Sequence, residues 1–474
     1  MLNIDPDISK SIPSEVAVKY RSVPTVLEHG RLVVYIDKHN VEKAYIKEEL
    51  EFISGYDIHC IYEEGKVIDL YLKEVYPDID GKKDNRLQAN YYNGQPENFL
   101  SDLIIDAKNL KSSDIHIETY ENDCRVRIRV DGLLITRHLI ERKQYPSLIN
   151  KIKITANLDI AEKRLPQDGR IFFQKNNDKI DIRVSIFPTL HGEKVVLRLL
   201  GNDLDNINLE ELGFSTIDYK NYLEGIKKPN GIILISGPTG SGKTTTLYGT
   251  LKLLNQSTRN ILTIEDPIEY TLKGINQVQV RENIGLTFSA ALRTFLRQDP
   301  DIIMLGEIRD AETANMAIRA ALTGHLVLST IHTNSAWGTI SRLIDMNIPP
   351  FLIANTLNLS VAQRLVRLLC KECKEGVSFN MSAFPPNYMP PEKIVHHYVA
   401  HGCPACFNTG YRKRTAIYEV IPIDGAFVEE IKKNTSTVTN ILKEKKIKTL
   451  SDSAFELLKS GDTSLEEIYP LLMS

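Results

Sequence analysis

The sequence is poor in several features that would narrow its function. Its 474 residues carry a formal net charge of −3 and one tryptophan, so neither a basic field nor a set of stacking aromatics indicates nucleic acid. No apolar run reaches the ~18 residues that a membrane span needs. The opening stretch, MLNIDPDISK, has acidic residues where a signal peptide needs basic and apolar ones. We therefore expect a cytoplasmic protein that associates with membranes only through partners.

Cysteine is scarce too, but four of the six cysteines are regularly spaced. They form two C-x-x-C pairs, Cys370 with Cys373 and Cys403 with Cys406. Two such pairs suit tetrahedral Zn²⁺, and four thiolate ligands leave no open position for catalysis. Redox pairs are the alternative, although neither pair opens a helix after a strand. The spacing predicts a closed structural zinc site.

A phosphate-binding loop stands near the middle of the chain. The aliphatic run 232–235 is typical of a strand buried in a parallel sheet, and it leads into GPTGSGKT at 237–244. Lys243 should reach the β- and γ-phosphates, and the Thr244 hydroxyl should bind Mg²⁺. A glycine-rich loop that matches by chance is the alternative. The residues expected to contact ATP are Gly237, Pro238, Thr239, Gly240, Ser241, Gly242, Lys243, Thr244 and Thr245.

Two acidic segments should converge on the phosphates. Glu307 follows an aliphatic run that resembles a Walker B strand. Gly306 stands where many such ATPases carry a Mg²⁺-associated aspartate, so we expect Glu307 to act through a water. Glu265 ends another strand, and we favour it as the orienter or base for the attacking water. Surface carboxylates at strand ends are the alternative for both, and the role of Glu269 stays open.

Two histidines bracket a third strand-like run. A neutral imidazole at the edge of a phosphate site could sense the γ-phosphate by hydrogen bonding and transmit its loss. Position at the carboxyl end of the strand favours His332 over His325. A hydrogen-bonded core histidine is the equal alternative for either one.

Hydrophobic periodicity indicates two mixed domains in the larger part of the chain. Residues 98–205 combine a helix with alternating strands that carry arginines on one polar face, for which an ordinary solvated charged face is the alternative. Beyond residue 229, strand-like runs at 261–264, 302–305 and 326–330 alternate with helical ones at 289–296 and 311–322. That alternation is typical of βα units on a parallel sheet, so the fold class is α/β.

These motifs in this order resemble the type II secretion and type IV pilus assembly ATPases, the GspE/PilB family. The resemblance covers roughly residues 98–474. Retraction motors of the same superfamily lack the four cysteines and carry an AIRNLIRE-like motif. This chain has the cysteines and lacks that motif, so the resemblance favours an assembly or secretion motor over a retraction motor. The most specific segments are 113–118 (SDIHIE), 129–132 (RVDG), 166–170 (PQDGR), 237–244, 265–269 (EDPIE), 296–301 (LRQDPD), 306–310 (GEIRD) and 322–325 (LTGH).

The resemblance implies a RecA-like ATPase motor, a preceding α+β (PAS-like) domain, a hexameric ring, and docking on an inner-membrane platform protein and a cytoplasmic adaptor. It names 265–269 the Asp box and 325–332 the His box. In this family the domain before the motor supplies arginines to the nucleotide, and Arg170 and Arg183 stand at matching strand positions, ahead of Arg127. Secondary candidates are Arg293, Arg297 and Arg309.

The resulting division of the chain has seven parts. They are a small α+β adaptor module (1–75), a linker (76–97), an α+β domain that supplies arginines (98–205), a connector (206–228), the RecA-like motor (229–365), the tetracysteine element (366–411) and a helical C-terminal subdomain (412–474).

The expected function is a hexameric cytoplasmic ATPase, peripheral to the inner membrane, that hydrolyses ATP to ADP and phosphate to drive polymerisation of pilin or pseudopilin. A RecA-like nucleic-acid translocase or helicase is the alternative, and the mild acidity of the chain counts against it. A zinc-stapled scaffold that binds ATP without turnover is a third reading, and the paired acids argue against it.

Overall fold

The computed structural model describes residues 8, 11–12, 14–28, 30–38, 44–76, 90–91, 96–175, 178–200, 207–386 and 388–473. Two compact units divide the chain, Met1–Gln88 and Ala89–Ser474. The division falls inside the predicted linker 76–97, most of which lies outside the described residues.

The first unit is a three-stranded sheet with helices. Its order is β1-β2-β3, with β1 antiparallel and β3 parallel to the central strand. The central strand supplies the core, where Leu32, Val34 and Ile36 are at most 2% exposed. The elements are α1 (Ser14–Tyr20), β1 (Ser22–Glu28), β2 (Arg31–Asp37), α2 (Ala44–Ser54), β3 (Ile58–Glu63) and α3 (Gly65–Val75).

The second unit begins with a seven-stranded sheet in the order β4-β7-β6-β5-β10-β9-β8. The period-two pattern puts residues such as Ile117 and Val126 in the core at 0% exposure, while the arginines lie on the opposite face. The elements are β4 (Asn90–Tyr91), α4 (Pro96–Asn109), β5 (Asp114–Thr119), β6 (Cys124–Val130), β7 (Leu133–Ile140), α5 (Tyr145–Thr155), β8 (Gln167–Lys175), β9 (Asp178–Thr189) and β10 (Gly192–Leu200).

A second seven-stranded sheet carries the phosphate loop, in the order β13-β12-β14-β15-β11-β16-β19. Every pairing in it is parallel except that of β16 with β19. A connector with a 3₁₀ turn (Leu209–Leu212) and α6 (Thr216–Ile226) precedes it. The elements are β11 (Gly231–Ser236), α7 (Lys243–Leu254), β12 (Ile261–Glu265), β13 (Asn276–Gln279), α8 (Phe288–Phe295), β14 (Ile302–Leu305), α9 (Ala311–Leu322), β15 (Leu326–Ile331), α10 (Gly338–Asp345), α11 (Pro350–Thr356), β16 (Leu357–Leu369) and β19 (Tyr411–Pro422).

Helices cover both faces of this sheet, which explains why its strands are apolar throughout. All six residues of β11 are buried, and the four aliphatic ones contribute roughly 1.5–3 kcal/mol each. One face packs against α6 and α7, and the other packs against α8, α9 and the C-terminal helices. The parallel sheet and its predicted strands are therefore present.

The segment 370–410 is an insertion between two neighbouring strands of this sheet. It contains the hairpin of β17 (Glu375–Ser378) and β18 (His396–Val399), and the chain returns to the sheet in β19. The prediction of a helical segment from 412 onwards missed β19, because its apolar residues pair with β16 rather than form a helix. The helices that follow are α12 (Gly425–Lys432), α13 (Thr439–Glu444), α14 (Leu450–Lys459) and α15 (Leu465–Leu472).

None of the helices in the described ranges combines the length and the apolar character that crossing a bilayer requires.

Candidate functional site

The phosphate loop joins β11 to α7 through three glycines with positive φ. Gly237, Gly240 and Gly242 have φ of 150°, 80° and 87°, values that strain any residue with a Cβ. A Cβ on Gly237 would lie 2.5 Å from the Gln363 carbonyl oxygen, whereas one on Gly240 would meet nothing within 4 Å. The backbone at Gly237 is therefore closely packed against β16, whereas the backbone at Gly240 has open space around it.

Lys243 opens α7 and folds back over the loop. Its Nζ donates to the carbonyl oxygens of Gly237 and Pro238 at 2.8 and 2.9 Å. Burial lowers the pKa of Lys243, the Glu307 carboxylate opposes that effect, and the Arg364 cation adds to it. The hydroxyl of Ser241 is buried and has no hydrogen-bond partner among the described residues. A phosphate in the loop would give both groups an acceptor.

Glu307 follows β14 and lies beside Arg309 and His332 at the carboxyl edge of the sheet. Arg309 Nη2 approaches its Oε1 at 2.5 Å, and His332 Nε2 lies 3.5 Å from its Oε2. Arg309 also lies 3.6 Å from Asp266. Because β11, β15 and β14 are parallel neighbours, the phosphate loop, His332 and Glu307 all follow the carboxyl ends of adjacent strands. The structure thus brings Glu307, His332 and Lys243 to one edge.

Glu265 ends β12 and is 3% exposed. Its Oε1 accepts hydrogen bonds from Thr263 Oγ1 at 2.6 Å and from Gln277 Nε2 at 3.0 Å. Its Oε2 accepts from the Tyr248 hydroxyl of α7. Both carboxylate oxygens of Glu265 are therefore occupied by side-chain donors, whereas the Glu307 side chain is partly exposed at 18%.

The two histidines lie at opposite ends of β15. His325 precedes the strand, and its Nδ1 lies 2.9 Å from the Ala320 carbonyl at the end of α9. His332 follows the strand at the edge that carries Glu307. Only His332 is therefore placed beside the phosphate loop.

A row of charged residues crosses the polar face of the first large sheet. Arg170 of β8 pairs with Arg183 of β9, which pairs in turn with Arg198 of β10. Arg170 binds Asp181 through Nη2 at 2.5 Å, and Arg198 binds Asp114 through Nε at 2.9 Å. The pattern of the sequence alone did not single out Arg198, because its strand partner becomes visible only when β10 pairs with β9.

Arg183 contacts the Asp box of its own chain. Its Nη2 donates to the Ile268 carbonyl at 2.7 Å, and its Nη1 lies 3.9 Å from Glu269. A cavity of about 260 Å³ adjoins this contact and is lined by Arg170, Glu269 and Tyr270. The arginine-bearing sheet therefore touches the second large sheet at the segment that follows Glu265.

The other arginine candidates are held by neighbouring groups. Arg127 Nη2 binds Glu118 at 2.6 Å. Burial acts to raise the pKa of Glu118, but hydrogen bonds from Arg127, Lys194 and Arg125 outweigh it and lower the pKa to about 2. Arg293 pairs with Glu312 on an exposed surface at 3.1 Å, and Arg297 donates to the Arg293 carbonyl at 2.9 Å.

Two features of this region were missed from the sequence. The first is Arg364 of β16, whose Nη1 lies 3.1 Å from the position that a Cβ of Gly237 would take. A charged residue in a largely apolar strand was the available signal, but β16 also carries Arg367, and only the pairing of β16 with β11 places Arg364 beside the loop.

The second is a cavity of about 730 Å³ lined by residues of the first large sheet, of β16 and β19, and of the insertion, with Cys406 among them. Leu365 lines it and also lies 3.7 Å from the position of a Cβ on Gly242. Asp131 from the first large sheet and Arg414 from β19 supply other walls. Two of the lining residues are in direct contact, since the backbone N–H of Lys413 donates to Asp131 Oδ2 at 2.7 Å. Its volume falls in the range of small-molecule sites.

The four cysteines of the insertion meet in one cluster. All four Sγ atoms lie within 4.8 Å of one another. Cys370 and Cys403 are 3.9 Å apart, and Cys406 lies 3.7 Å from both Cys373 and Cys403. Four thiolates about 2.3 Å from a tetrahedral Zn²⁺ would be about 3.8 Å apart. The geometry therefore fits a closed zinc site.

The arrangement of parallel strands, glycine loop and helix with Lys243 at its start defines the chain as a P-loop nucleotide-binding protein. Residues 92–470 match the family model described as "Type II/IV secretion system protein". The chain belongs to this family, the secretion ATPases of the GspE/PilB type, and it is an ATP hydrolase.

Named relatives agree with this assignment. The chain is 42% identical over 496 residues to "Type IV pilus assembly ATPase PilB" of Myxococcus xanthus, covering 98% of this chain and 87% of that protein. It is 47% identical over 361 residues to "Type II secretion system ATPase E" of Vibrio cholerae, covering 75% and 71%.

Solved structures show the same fold. The pilus retraction motor PilT with bound ADP is similar at a TM-score of 0.52 and 26% identity, covering 77% of this chain and 94% of that one. The ATPase DotB of Legionella pneumophila has a TM-score of 0.61 at 24% identity, covering 81% and 96%. DotB supports the fold alone.

Proposed function

We propose that this chain assembles as a homo-hexamer in the cytoplasm, peripheral to the inner membrane, and hydrolyses ATP to drive pilin or pseudopilin polymerisation. The partners would be an inner-membrane platform protein and a cytoplasmic adaptor. The observation that carries the proposal is the convergence of Lys243, Glu307 and His332 at one edge of a P-loop sheet. Similarity to a pilus assembly ATPase over 98% of the chain supports the biological role.

The phosphate loop binds the triphosphate of ATP in this proposal. The crest around Gly240 is open, and Lys243 exchanges two carbonyl acceptors for phosphate oxygens. The exposed Thr244 hydroxyl would hold Mg²⁺. Such an ion, when bound, neutralises charge on the β- and γ-phosphates. The solved PilT structure holds ADP, which supports a nucleotide in the corresponding loop here.

The nucleoside part of ATP would occupy the large cavity beside the loop. Leu365 joins this cavity to the end of the loop, so a ligand with phosphates at Gly242 extends into it. An apolar wall at Leu133 suits the base, and the side-chain donors of Lys413 and Arg414 suit the ribose hydroxyls. ATP would then contact both large sheets of the second unit.

We assign the water-orienting carboxylate to Glu307 in preference to Glu265. Glu307 lies at the edge beside the loop, and its neighbour His332 is half exposed, so an attacking water has access. Glu265, with its two oxygens filled by three donors, is proposed to position Tyr248 and β12. His332 would transmit the loss of the γ-phosphate through its contact with Glu307.

The arginine-bearing sheet is proposed to close over the nucleotide. Arg183 already reaches the Asp box through Ile268, and Arg170 lies next to it in the strand register. An arginine that moves onto the phosphates would offset negative charge in the transition state and couple hydrolysis to domain rotation. The zinc element would fix the insertion between β16 and β19 and take no part in chemistry.

The proposal is tested on the purified full chain with two measurements. Light scattering during gel filtration, with Mg²⁺ and a non-hydrolysable ATP analogue, should give six times the mass of the chain. Phosphate release should fall by at least about a thousandfold in Lys243→Ala, while Lys220→Ala, an exposed lysine of α6, keeps the wild-type rate.

Contrary outcomes are clear for each part. A monomer with full turnover at every concentration would contradict the ring, and turnover that survives in Lys243→Ala would contradict the loop assignment. Strong stimulation of phosphate release by single-stranded DNA would favour the translocase alternative.

A further inference from the structure

Arg364 is a cation beside the phosphate loop that the functions assigned above leave unused. Its guanidinium bonds only to amide groups among the described residues. Nη1 donates to the Gln363 carbonyl at 3.0 Å, and Nη2 donates to the Asn334 carbonyl at 3.0 Å and lies 3.5 Å from Asn334 Oδ1. No described carboxylate lies within salt-bridge distance of it. A partly buried guanidinium usually has an anionic partner, and Arg364 has only neutral amide groups.

Both cationic heads at this edge converge on Gly237. Lys243 Nζ lies 2.8 Å from the Gly237 carbonyl oxygen, and Arg364 Nη1 lies 3.1 Å from the position of a Cβ on the same residue. A methyl group at 237 would therefore press on Arg364. The two cations flank the base of the loop that receives the phosphates, and an anion there would be shared between them.

The position of Arg364 selects the terminal phosphate. Asn334 lies two residues after His332 on the loop that leaves β15, and His332 contacts Glu307. Arg364 lies on β16, which flanks β11 on the side opposite β15, and its hydrogen bonds to Asn334 connect it to the loop that carries His332, whereas the nucleoside cavity begins at its neighbour Leu365. A triphosphate would place its γ-phosphate on the Arg364 side.

We propose that Arg364 binds the γ-phosphate of ATP directly and, in doing so, releases the Asn334 carbonyl. The inference rests on the proposed function and adds to it a residue that distinguishes ATP from ADP. Planar guanidinium groups bind phosphate oxygens in pairs, which the two carbonyl contacts at present satisfy.

The release of Asn334 has a route to the C-terminal helices. The loop continues to Ala336, whose backbone N–H donates to the buried carboxylate of Glu419 at 2.9 Å. The other oxygen of Glu419 accepts from the Leu450 backbone N–H, at the start of α14, at 3.4 Å. A bound γ-phosphate would thus remove the contact of Arg364 with Asn334, on the loop that Glu419 connects to the start of α14.

The test measures binding of a fluorescent ADP and a fluorescent non-hydrolysable ATP analogue, each with Mg²⁺, to the full chain. In Arg364→Gln we expect affinity for the ATP analogue to fall about tenfold or more, as for a lost charge-assisted hydrogen bond, and affinity for ADP to change less than about twofold. Arg364→Lys should recover part of the loss. Arg319→Gln, an exposed arginine of α9, should bind both nucleotides like the wild type.

The outcomes separate this inference from the proposed function. Failure of the wild type to bind either nucleotide would contradict the proposed function. Equal loss of both nucleotides in Arg364→Gln, or no loss of either, would overturn the role of Arg364 while the loop assignment stands. If Arg364→Gln unfolds, the same two affinities are measured in Arg364→Lys. A ratio of ATP-analogue affinity to ADP affinity equal to that of the wild type would then overturn the inference.

Discussion

Glu307 and His332 lie side by side at the carboxyl edge of the second large sheet, with 3.5 Å between Oε2 of the carboxylate and Nε2 of the imidazole. The two residues follow neighbouring strands, β14 and β15, so their contact depends on parallel pairing and not on sequence distance. Arg309 holds the other oxygen of the carboxylate. Glu307 is thus held by contacts on both of its carboxylate oxygens at the edge that also carries the phosphate loop.

The first prediction concerns Glu307→Gln. The amide keeps the shape and the contact with His332 but cannot accept a proton, so we expect phosphate release to fall by about 100-fold or more. Affinity for the ATP analogue should stay within about threefold, because Lys243 and the loop are intact. Glu312→Gln on the exposed surface of α9 is the matched control. Wild-type turnover in Glu307→Gln would move the water-orienting role to another acid.

The second prediction concerns Arg183→Gln. Loss of its contacts with Ile268 and Glu269 removes a link between the two large sheets and an arginine for the transition state. We expect phosphate release to fall by at least about 100-fold, with a smaller effect on nucleotide binding. Arg164→Gln, whose side chain is 90% exposed, should behave like the wild type. A variant with normal turnover would show that Arg183 serves only to hold the Asp box.

The third prediction concerns Glu118 and pH. Its folded-state pKa of about 2 lies below the ordinary value of 4.5, so its contribution to stability is complete above about pH 4.5 and is lost as pH falls toward 2. At pH 7, Glu118→Gln should therefore lower the free energy of unfolding by about 1–2 kcal/mol, once solvent screening of the ion pairs is allowed for. The melting temperature should fall accordingly. Below about pH 4.5 the difference from the wild type should shrink.

Glu121→Gln, at an exposed turn of the same sheet, is the control for Glu118. Melting temperatures followed by circular dichroism between pH 3 and pH 8 make the comparison. A difference between wild type and Glu118→Gln that stays constant down to pH 3 would mean that the ion pairs with Arg127 and Lys194 are not its source.

The fourth prediction concerns the cysteine cluster. We expect one zinc ion per chain by elemental analysis, lost on Cys403→Ser, together with a fall in melting temperature of about 5 °C or more. Phosphate release measured below both melting temperatures should change less than about threefold, since a closed site carries no catalysis. Cys60→Ser in the first unit is the control. Zinc-free wild-type protein of full stability would contradict the site.

Much of the second large sheet could be predicted because its signals are local. The aliphatic run before Gly237 and the helix 311–322 can each be recognised from a short stretch of sequence, and both are present at those positions. The cysteine cluster was predictable for the same reason, since the spacing of two short pairs determines the ligand set. Each of these features needs no knowledge of strand order.

The remainder depends on which strands become neighbours. Glu265 and Glu307 look alike in the sequence, since both end an aliphatic strand. Only the structure shows that Tyr248 and Gln277 fill the first carboxylate, whereas Arg309 and His332 contact the second. Arg364 was overlooked likewise, because β16 reaches β11 through a parallel pairing of distant segments.

The hydrogen bond from the Lys413 backbone to Asp131 joins residues 282 positions apart in the wall of the cavity proposed for the nucleoside. A bond of this kind contributes only about 1 kcal/mol, so thermal motion can break and reform it readily. We expect it to act as a weak latch that yields whenever spent nucleotide leaves and fresh nucleotide enters, without unfolding either sheet.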